Sequence, residues 1–409
     1  MKRRDFLTAT AVLSLLGAST AHAAKNAPAK KPAPAKRPAR TSKTPAKPAK
    51  KQPAAASATE AADDEAMPQG EARNAISLPD EPLPQWRTYD IRSTITLRPT
   101  KGKARLWLPL VQYKDTPWER SLGHNWQGNF ESAGIYRDPV AEMEVFFADW
   151  PDGVEKPQLQ VVSQVATQDR HFDITRRGAI AERTEVLRRC LQSTALVPVD
   201  GIVRKTAERA IGRVKDPLAQ GKAIYEWVVE NTAYDPNLRF VGNTSVGAML
   251  ERGDLAGRSA DIALLFVGLC RSIGIPARPV FGLRMDGSRL FGSLGATGNL
   301  STAQQCRAEF YTPGYGWIPV NPADVRKAVR EENLGHGDPK LNVLKKLLFG
   351  FWEMNWVGFN AAQDVDLRGS SKETLPFLIY PEVETEQGRF NSQDSDHFTY
   401  EVTASRVYG

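Results

Sequence analysis

The strongest constraint on the fold of this 409-residue chain is the stretch GRSADIALLFVGLCRSIGIPAR, at residues 257–278. Its apolar residues recur at intervals of three and four, which is the spacing of a helix buried along most of its length. Gly274 and Pro276 end the pattern, because glycine favours a helix C-terminus and proline cannot continue a helix. The sequence therefore predicts a core helix at residues 259–273, followed by a strand.

A second pattern, QQCRAEFYTPGYGWIPVNPAD at residues 304–324, predicts a β-hairpin that turns at Pro313-Gly314. If the turn is centred near Pro313, Gln305 lies opposite Asn321, with an uncertainty of one or two positions in register. Partners in such a hairpin have Cβ atoms roughly 4.5–5.5 Å apart. We therefore expect these two side chains to lie close together.

The core helix ending in GIPAR, the strand after it and the YTPGYGWIPVNP hairpin together resemble the transglutaminase-like superfamily, over roughly residues 200–325. The resemblance implies a papain-like fold. It also implies a cysteine nucleophile at the start of the core helix, a histidine base at the start of the next strand and an aspartate that orients the histidine. Matched residue by residue, these positions hold Ser259, Gln305 and Asn321.

All three functional groups therefore depart from the family pattern. A serine hydroxyl needs a neighbouring base to attack an amide, whereas the amide nitrogen of Gln305 is not basic. Asn321 carries no charge that could stabilise a protonated base. The replacements resemble the groups they replace in size, so the pocket should persist. We predict a catalytically inactive relative, a pseudoenzyme that binds peptide or amide-bearing cell-envelope material.

Two other functions remain open. The chain could be an active acyl-transfer or amide-hydrolysing enzyme that uses Ser259 or Cys306 with an unrecognised base, or an envelope scaffold that acts through its basic tail and β domain. Ser259 could also be simply a helix N-cap, a role that serine often fills. Cys306 should face away from Gln305, because adjacent strand residues point to opposite faces. Cys270, about 16 Å along the helix axis from Ser259, should be a core thiol.

The N-terminal residues 1–23, MKRRDFLTATAVLSLLGASTAHA, have the features of an export signal peptide. A charged start, a short apolar run and a small-residue cleavage site are typical of such signals, and the Arg3-Arg4 pair resembles the twin-arginine type. An ordinary secretion signal is the alternative. Both predict a periplasmic or otherwise exported protein.

Residues 24–83 should form a disordered linker rich in Ala, Pro and Lys. Residues 25–52 carry ten Lys or Arg and no acid, so the formal net charge of +7 is a property of this tail. The tail could contact an anionic envelope surface or act only as a spacer. Nucleic acid is not an expected partner of an exported chain.

The rest of the chain predicts an α+β fold. Alternating apolar residues at 84–180 indicate an N-terminal, β-sandwich-like domain, with a hairpin around residues 151–157. The transglutaminase-like core should cover residues 181–328, and residues 329–409 should form an extension packed on it, with a helical segment around Trp352 and Trp356. No spacing of Cys or His indicates a metal site, and no cofactor is predicted. The three cysteines (Cys190, Cys270 and Cys306) leave at least one thiol without an intrachain partner.

Overall fold

Residues 85–98, 101–179, 181–238 and 244–408 are described in the computed structural model of this protein. The predicted export signal, basic tail and linker lie outside these residues. The strands are β1 (Arg87–Leu97), β2 (Ala104–Pro109), β3 (Glu119–Gly128), β4 (Ser132–Asp138), β5 (Met143–Trp150), β6 (Gln158–Thr167), β7 (Arg170–His171), β8 (Ala233–Tyr234), β9 (Ala256–Gly257), β10 (Ala277–Arg284), β11 (Gln304–Thr312), β12 (Gly316–Val320), β13 (Phe351–Trp352), β14 (Trp356–Asn360), β15 (Glu382–Thr385), β16 (Gly388–Asn391) and β17 (Phe398–Val407). The helices are α1 (Thr184–Arg189), α2 (Gly201–Ile211), α3 (Pro217–Asn231), α4 (Val246–Arg252), α5 (Ser259–Ser272), α6 (Pro322–Glu331) and α7 (Pro339–Leu347).

Strands β1 to β6 and the last three strands of the chain form two antiparallel sheets, ordered β17-β1-β6-β3 and β16-β15-β2-β5-β4. Apolar side chains from both sheets form a shared core, which includes Leu106, Phe146 and Val161. The predicted hairpin around residues 151–157 is wrong, because β5 and β6 belong to different sheets. The turn between them carries the chain across the sandwich. Alternation alone indicates which face of a strand is buried, but not which neighbour it pairs with.

The C-terminal extension is divided between the two parts of the molecule. Helix α7 follows α6, and β14 pairs with β10 at the edge of the core sheet. The last strands instead complete the β domain, since β15 pairs with β2 and β17 pairs with β1. The extension therefore packs on the core only in part, and its chain end is built into the N-terminal sandwich.

The predicted helix around Trp352 and Trp356 is wrong, because these residues lie on the short strands β13 and β14. Every residue of both strands is buried. A strand that is buried on both faces reads as a continuous apolar run, which periodicity cannot distinguish from a buried helix.

The core helix α5 is the centre of the part of the fold that follows the β domain. Its bounds confirm the predicted helix to within one residue, and the helix is buried from Ala260 to Ser272. It packs against the antiparallel sheet ordered β12-β11-β10-β14. Phe266 of the helix meets Phe310 of β11 edge to face, with ring centroids 5.9 Å apart. The fold is α+β, as predicted.

The predicted hairpin is formed by β11 and β12, but its register is two positions from the predicted one. Ala308 pairs with Val320, and Thr312 pairs with Gly316. The loop is centred on Gly314, whose φ of 83° lies in the left-handed region that glycine adopts without strain. Pairing ends at Val320, so Asn321 is not opposite Gln305.

None of the helices in the described ranges is long and apolar enough to cross a lipid bilayer. Within the same ranges, no three His, Cys, Asp or Glu side chains are grouped so as to hold a metal ion.

Candidate functional site

The site is built around the start of α5. The N-cap of this helix is Arg258, and its backbone N–H donates to a carboxylate oxygen of Asp261 at 2.9 Å. A carboxylate in the first turn also interacts favourably with the positive end of the helix dipole. Gly257 is required just before the cap, because a Cβ there would lie 2.6 Å from the Cβ of Asp261. Ser259 is thus the first residue of the helix, and the interpretation of Ser259 as the N-cap is wrong.

The Ser259 hydroxyl joins the helix start to the neighbouring sheet. Its Oγ accepts a hydrogen bond from the backbone N–H of Cys306 at 3.1 Å, and the residue is half-buried. Across the described residues, no hydrogen bond joins this hydroxyl to an imidazole, a carboxylate or an amine. A serine hydroxyl needs a neighbouring base in order to attack an amide, and the described hydrogen bonds of Ser259 include none.

Gln305 lies on β11, next to the residue that contacts Ser259, and is 3% exposed. Its Nε2 donates to Oδ1 of Asp324 at 2.7 Å. Its Oε1 is buried and has no hydrogen-bond partner among the described residues. The carboxylate fixes the orientation of the amide, because a carboxylate can only accept and must therefore face the NH₂ group.

Asn321 is the N-cap of α6, where its Oδ1 accepts the backbone N–H of Asp324 at 3.1 Å. Its Nδ2 donates to Oδ2 of the same aspartate at 2.7 Å. Gln305 and Asn321 are therefore connected, but only through the carboxylate of Asp324. The pairing across the hairpin that the sequence predicted does not occur.

Asp324 is the residue that sequence reasoning missed. It is 4% exposed, and its Oδ1 also accepts from Nη2 of Arg284 at 2.8 Å. The signal that could have found it is its position: it follows the Asn-Pro helix start by three residues, where an acidic side chain can reach back to the cap. Both of its oxygens accept side-chain hydrogen bonds, and among the described residues none joins this carboxylate to Ser259.

Ser259 and Gln305 line a common cavity of about 200 Å³, and Asn321 is not among its lining residues. Much of the lining is contributed by the loop before β11. Arg284 donates to the Leu294 carbonyl, and Nδ2 of Asn355 donates to the same carbonyl at 3.0 Å, which anchors this loop. The cavity is lined by Tyr234, Arg258, Ser259, Arg284, Gly295, Ala296, Thr297, Asn299, Thr302, Ala303, Gln304, Gln305, Asp324 and Lys327.

The charges around this cavity are mostly positive. Arg284 is paired with Asp324. Lys327 is paired with Glu331, and its ammonium lies 5.2 Å from the centre of the Tyr234 ring. Arg258 is half-buried, and no carboxylate of the described residues lies within ion-pair distance of its guanidinium. Among the described residues, Arg258 is thus the one cation at this cavity without an anionic partner.

The three cysteines are unbonded and buried. Burial raises the pKa of the Cys270 and Cys306 thiols well above the usual value, so neither is a ready nucleophile. Cys306 packs in the hydrophobic core with Ala308 and Phe310, on the opposite face of β11 from Gln305. Burial also raises the pKa of Cys190.

A second, larger cavity of about 720 Å³ contains none of the predicted site residues. It lies between the β domain and the core hairpin, where Trp118, Phe172, Tyr315 and Trp317 contribute aromatic walls. Arg170 lies at its base, paired with the buried Glu309 at 2.5 Å. Its guanidinium is stacked 3.9 Å from the centre of the Trp118 ring. Sequence patterns did not indicate this cavity, because its walls come from distant segments.

Comparison with known proteins places this architecture in a family. Residues 204–322 match the family described as the transglutaminase-like superfamily. A protein of Haemophilus influenzae, itself uncharacterized, is 32% identical over 341 residues, which cover 78% of this chain and 90% of that protein. The crystal structure of a proposed cysteine protease from Cytophaga hutchinsonii has a TM-score of 0.51 at 14% identity, and the match covers 80% of this chain and 92% of that one. The chain belongs to the transglutaminase-like superfamily, and the crystal structure shares its fold.

Proposed function

We propose that this protein is an exported, catalytically inactive member of the superfamily that uses its retained cavity to bind peptide or amide-bearing cell-envelope material. The observation that carries the proposal is the hydrogen bonding at the three matched positions. Ser259 accepts from a backbone N–H, and Gln305 and Asn321 both donate to Asp324. Among the described residues, no base is hydrogen-bonded to Ser259, which supports the proposed inactivity.

The chemistry supports inactivity in two ways. A base positioned to remove the nucleophile's proton typically contributes about 10²–10⁴-fold to the rate, and the amide of Gln305 cannot act as one. The Asp324 carboxylate does not replace it, because its oxygens accept from Gln305, Asn321 and Arg284. What remains is a cavity whose polar groups suit binding rather than bond cleavage.

Restoring the family's groups tests this proposal. The triple variant Ser259→Cys, Gln305→His, Asn321→Asp should gain amidase or transamidase activity of at least about 100-fold over the parent, measured as ammonia or amine release from glutamine-containing peptides. Asn321→Asp would place two carboxylates side by side, so the double variant Ser259→Cys, Gln305→His should be assayed as well. In the double variant, Asp324 already lies where it can accept from the new imidazole.

The matched control exchanges the neighbouring glutamine instead, as Ser259→Cys, Gln304→His. This variant should gain no activity, because its imidazole would start from a different point on β11. The parent should show none either. If the parent hydrolyses these peptides as fast as the restored variants, the proposed inactivity is contradicted.

A second candidate is an active enzyme that uses Cys306, which lies beside Gln305 in sequence. Its buried, core-facing thiol argues against this function. We expect native protein at pH 8 to resist iodoacetamide at all three cysteines and to react completely after denaturation, as measured by intact mass. Rapid modification of Cys306 in the native protein would favour the enzyme.

The proposed export depends on residues 1–23, which lie outside the described residues. Replacing Arg3-Arg4 by Lys-Lys should leave the chain in the bacterial cytoplasm if the signal is of the twin-arginine type. The measurement is cell fractionation, with the parent chain as the control. Unchanged export would instead indicate an ordinary secretion signal.

A further inference from the structure

We infer that the cavity at Ser259 binds a carboxylate that is accompanied by an N–H donor, as at the C-terminal or acidic residue of a peptide. The inference rests on the proposed function, because it names the chemical class of ligand for the same cavity. It depends on two groups that face the cavity from different elements, Arg258 at the start of α5 and Gln305 on β11.

The anion would be bound by Arg258. Its guanidinium has no ion-pair partner among the described residues, whereas Arg284 and Lys327 are paired with Asp324 and Glu331. Arg258 also precedes the first turn of a helix of 14 residues, whose positive end favours an anion. The backbone N–H of Arg258 already donates to the Asp261 carboxylate, so its guanidinium is the group of this residue that would contact a ligand. Guanidinium and carboxylate groups are well matched, since they can form two parallel hydrogen bonds.

The N–H group of the ligand would be bound by Gln305. Its NH₂ group is committed to Asp324, and its Oε1 is the atom left buried without a partner. An unpaired acceptor at such a position costs free energy that a ligand N–H would recover. A ligand that offers only acceptors would leave this oxygen unsatisfied. The cavity therefore favours a ligand that carries an N–H donor and a carboxylate close together.

The size of the cavity limits how much of the ligand enters. At about 200 Å³, it is smaller than the roughly 300–1,000 Å³ of typical ligand pockets. It can admit one residue of a peptide rather than an extended segment. A backbone amide N–H lies close to a carboxylate both at a peptide C-terminus and at an acidic side chain, so both sources carry the required chemistry.

Three short peptides distinguish these sources in calorimetric titrations of the full-length protein. Acetyl-Ala-Ala has only a terminal carboxylate, acetyl-Ala-Glu-amide has only a side-chain carboxylate, and acetyl-Ala-Gln-amide has neither. We expect at least one of the two acids to bind roughly tenfold or more tightly than the fully amidated peptide, as charged hydrogen bonds allow. The tighter of the two acids identifies the source. Chromatography after each titration checks that no peptide has been cleaved.

Two variants link the preference to the cavity. Arg258→Gln should remove the preference for the acid, whereas the matched control Arg252→Gln, at an exposed arginine six residues earlier, should leave it unchanged. Gln305→Met should weaken the binding of the two acids and of the amidated peptide to a similar extent, because it removes the acceptor for their N–H groups. Circular dichroism of each variant checks that the fold is retained.

The outcomes separate this inference from the proposed function. Equal binding of the acids and the amidated peptide would overturn the carboxylate assignment and leave peptide binding standing. No binding of any of the three peptides would overturn both the ligand class and peptide binding at this cavity. Cleavage of a peptide by the parent would overturn the proposed inactivity, whatever the binding preference. A preference for acid that survives Arg258→Gln would also overturn the inference.

Discussion

Two regions of the molecule hold a serine within a polar, hydrogen-bonded cluster. One serine lines a cavity, and the other lies beside an imidazole. At the start of α5, Ser259 lines a cavity, and no base in the described part of the chain is hydrogen-bonded to it. In the β domain, Ser163 has an imidazole beside it but lies inside the sandwich. His124 Nδ1 is 2.8 Å from the Ser163 hydroxyl, and Nε2 is 3.2 Å from the carboxylate of Glu144. The β domain thus places a histidine and a carboxylate next to a serine, whereas no imidazole is hydrogen-bonded to Ser259 among the described residues.

The difference teaches that residue types alone do not make an active site. His124 and Ser163 face each other across β3 and β6, and Ser163 is only 7% exposed. Glu144 is also committed to Arg137, whose Nε donates to it at 2.7 Å. Buried polar groups of this kind are satisfied by one another and specify the packing of the two sheets. An active site would need a base such as His124 next to the serine, and it would also need a cavity that a substrate can enter, such as the one at Ser259.

The largest effect should come from removing the carboxylate at the centre of the family site. Asp324→Ala leaves the buried Arg284 without its partner and two amides without their acceptor. Breaking a buried ion pair costs about 3–5 kcal/mol, and we expect a loss of this size in the free energy of unfolding, measured in urea. Asp115→Asn, at an exposed position, is the control and should be near neutral. A small effect of Asp324→Ala would show that the site is not a tightly coupled network.

Ser259→Ala should have a smaller but clear effect. The change orphans the buried backbone N–H of Cys306, which typically costs about 1–3 kcal/mol. The measurement is again urea unfolding, with Ser301→Ala, at a half-buried loop serine, as the reference. Since the proposed function gives this hydroxyl a structural role and no catalytic one, any amidase activity should be unchanged. Loss of activity on this substitution would instead identify Ser259 as a nucleophile.

The cluster of His124, Ser163 and Glu144 should make the free energy of unfolding depend on pH. Burial lowers the pKa of His124, with the Glu144 carboxylate opposing the shift. The unfolded chain therefore binds a proton at a higher pH than the folded chain, so stability decreases as the pH falls below the ordinary value of 6.5. His124→Gln should reduce this dependence between pH 5 and pH 7, as measured by urea unfolding at each pH. Parallel curves for parent and variant would contradict a neutral, buried His124.

The smallest effect should come from Ser163→Ala. The hydroxyl contributes one hydrogen bond to His124, worth about 0.5–1.5 kcal/mol, and we expect a loss of unfolding free energy in that range. Peptide binding at the Ser259 cavity should not change. A loss of binding or of hydrolysis in this variant would break the comparison, because it would show that the buried cluster acts on a substrate.

Much of the core could be predicted from the sequence because it depends on local patterns. The apolar spacing of α5 and its Gly274 end define the helix to within one residue, and Asp216 caps α3 through the N–H of Ala219 at 2.9 Å. The strands β1, β2, β5 and β6 also lie where alternation predicted them. The prediction of strand pairing was wrong, because the sequence pattern could not assign β5 and β6 to separate sheets. It also misread the short buried strands around Trp352 and Trp356 as helical.

The sequence by itself determined which side chains occupy the family's three positions, because the motifs around Ser259, Gln305 and Asn321 define their spacing along the chain. Only the tertiary structure decided how those side chains are used. The loop of the hairpin is centred on Gly314, so its register differs by two positions from the predicted one. Asn321 therefore lies at a helix start and not opposite Gln305. Asp324 is the acceptor that Gln305 and Asn321 share, and Oε1 of Gln305 is buried without a partner among the described residues. Hydrogen bonds between distant elements depend on distances of a few tenths of an ångström, and local sequence patterns do not encode them.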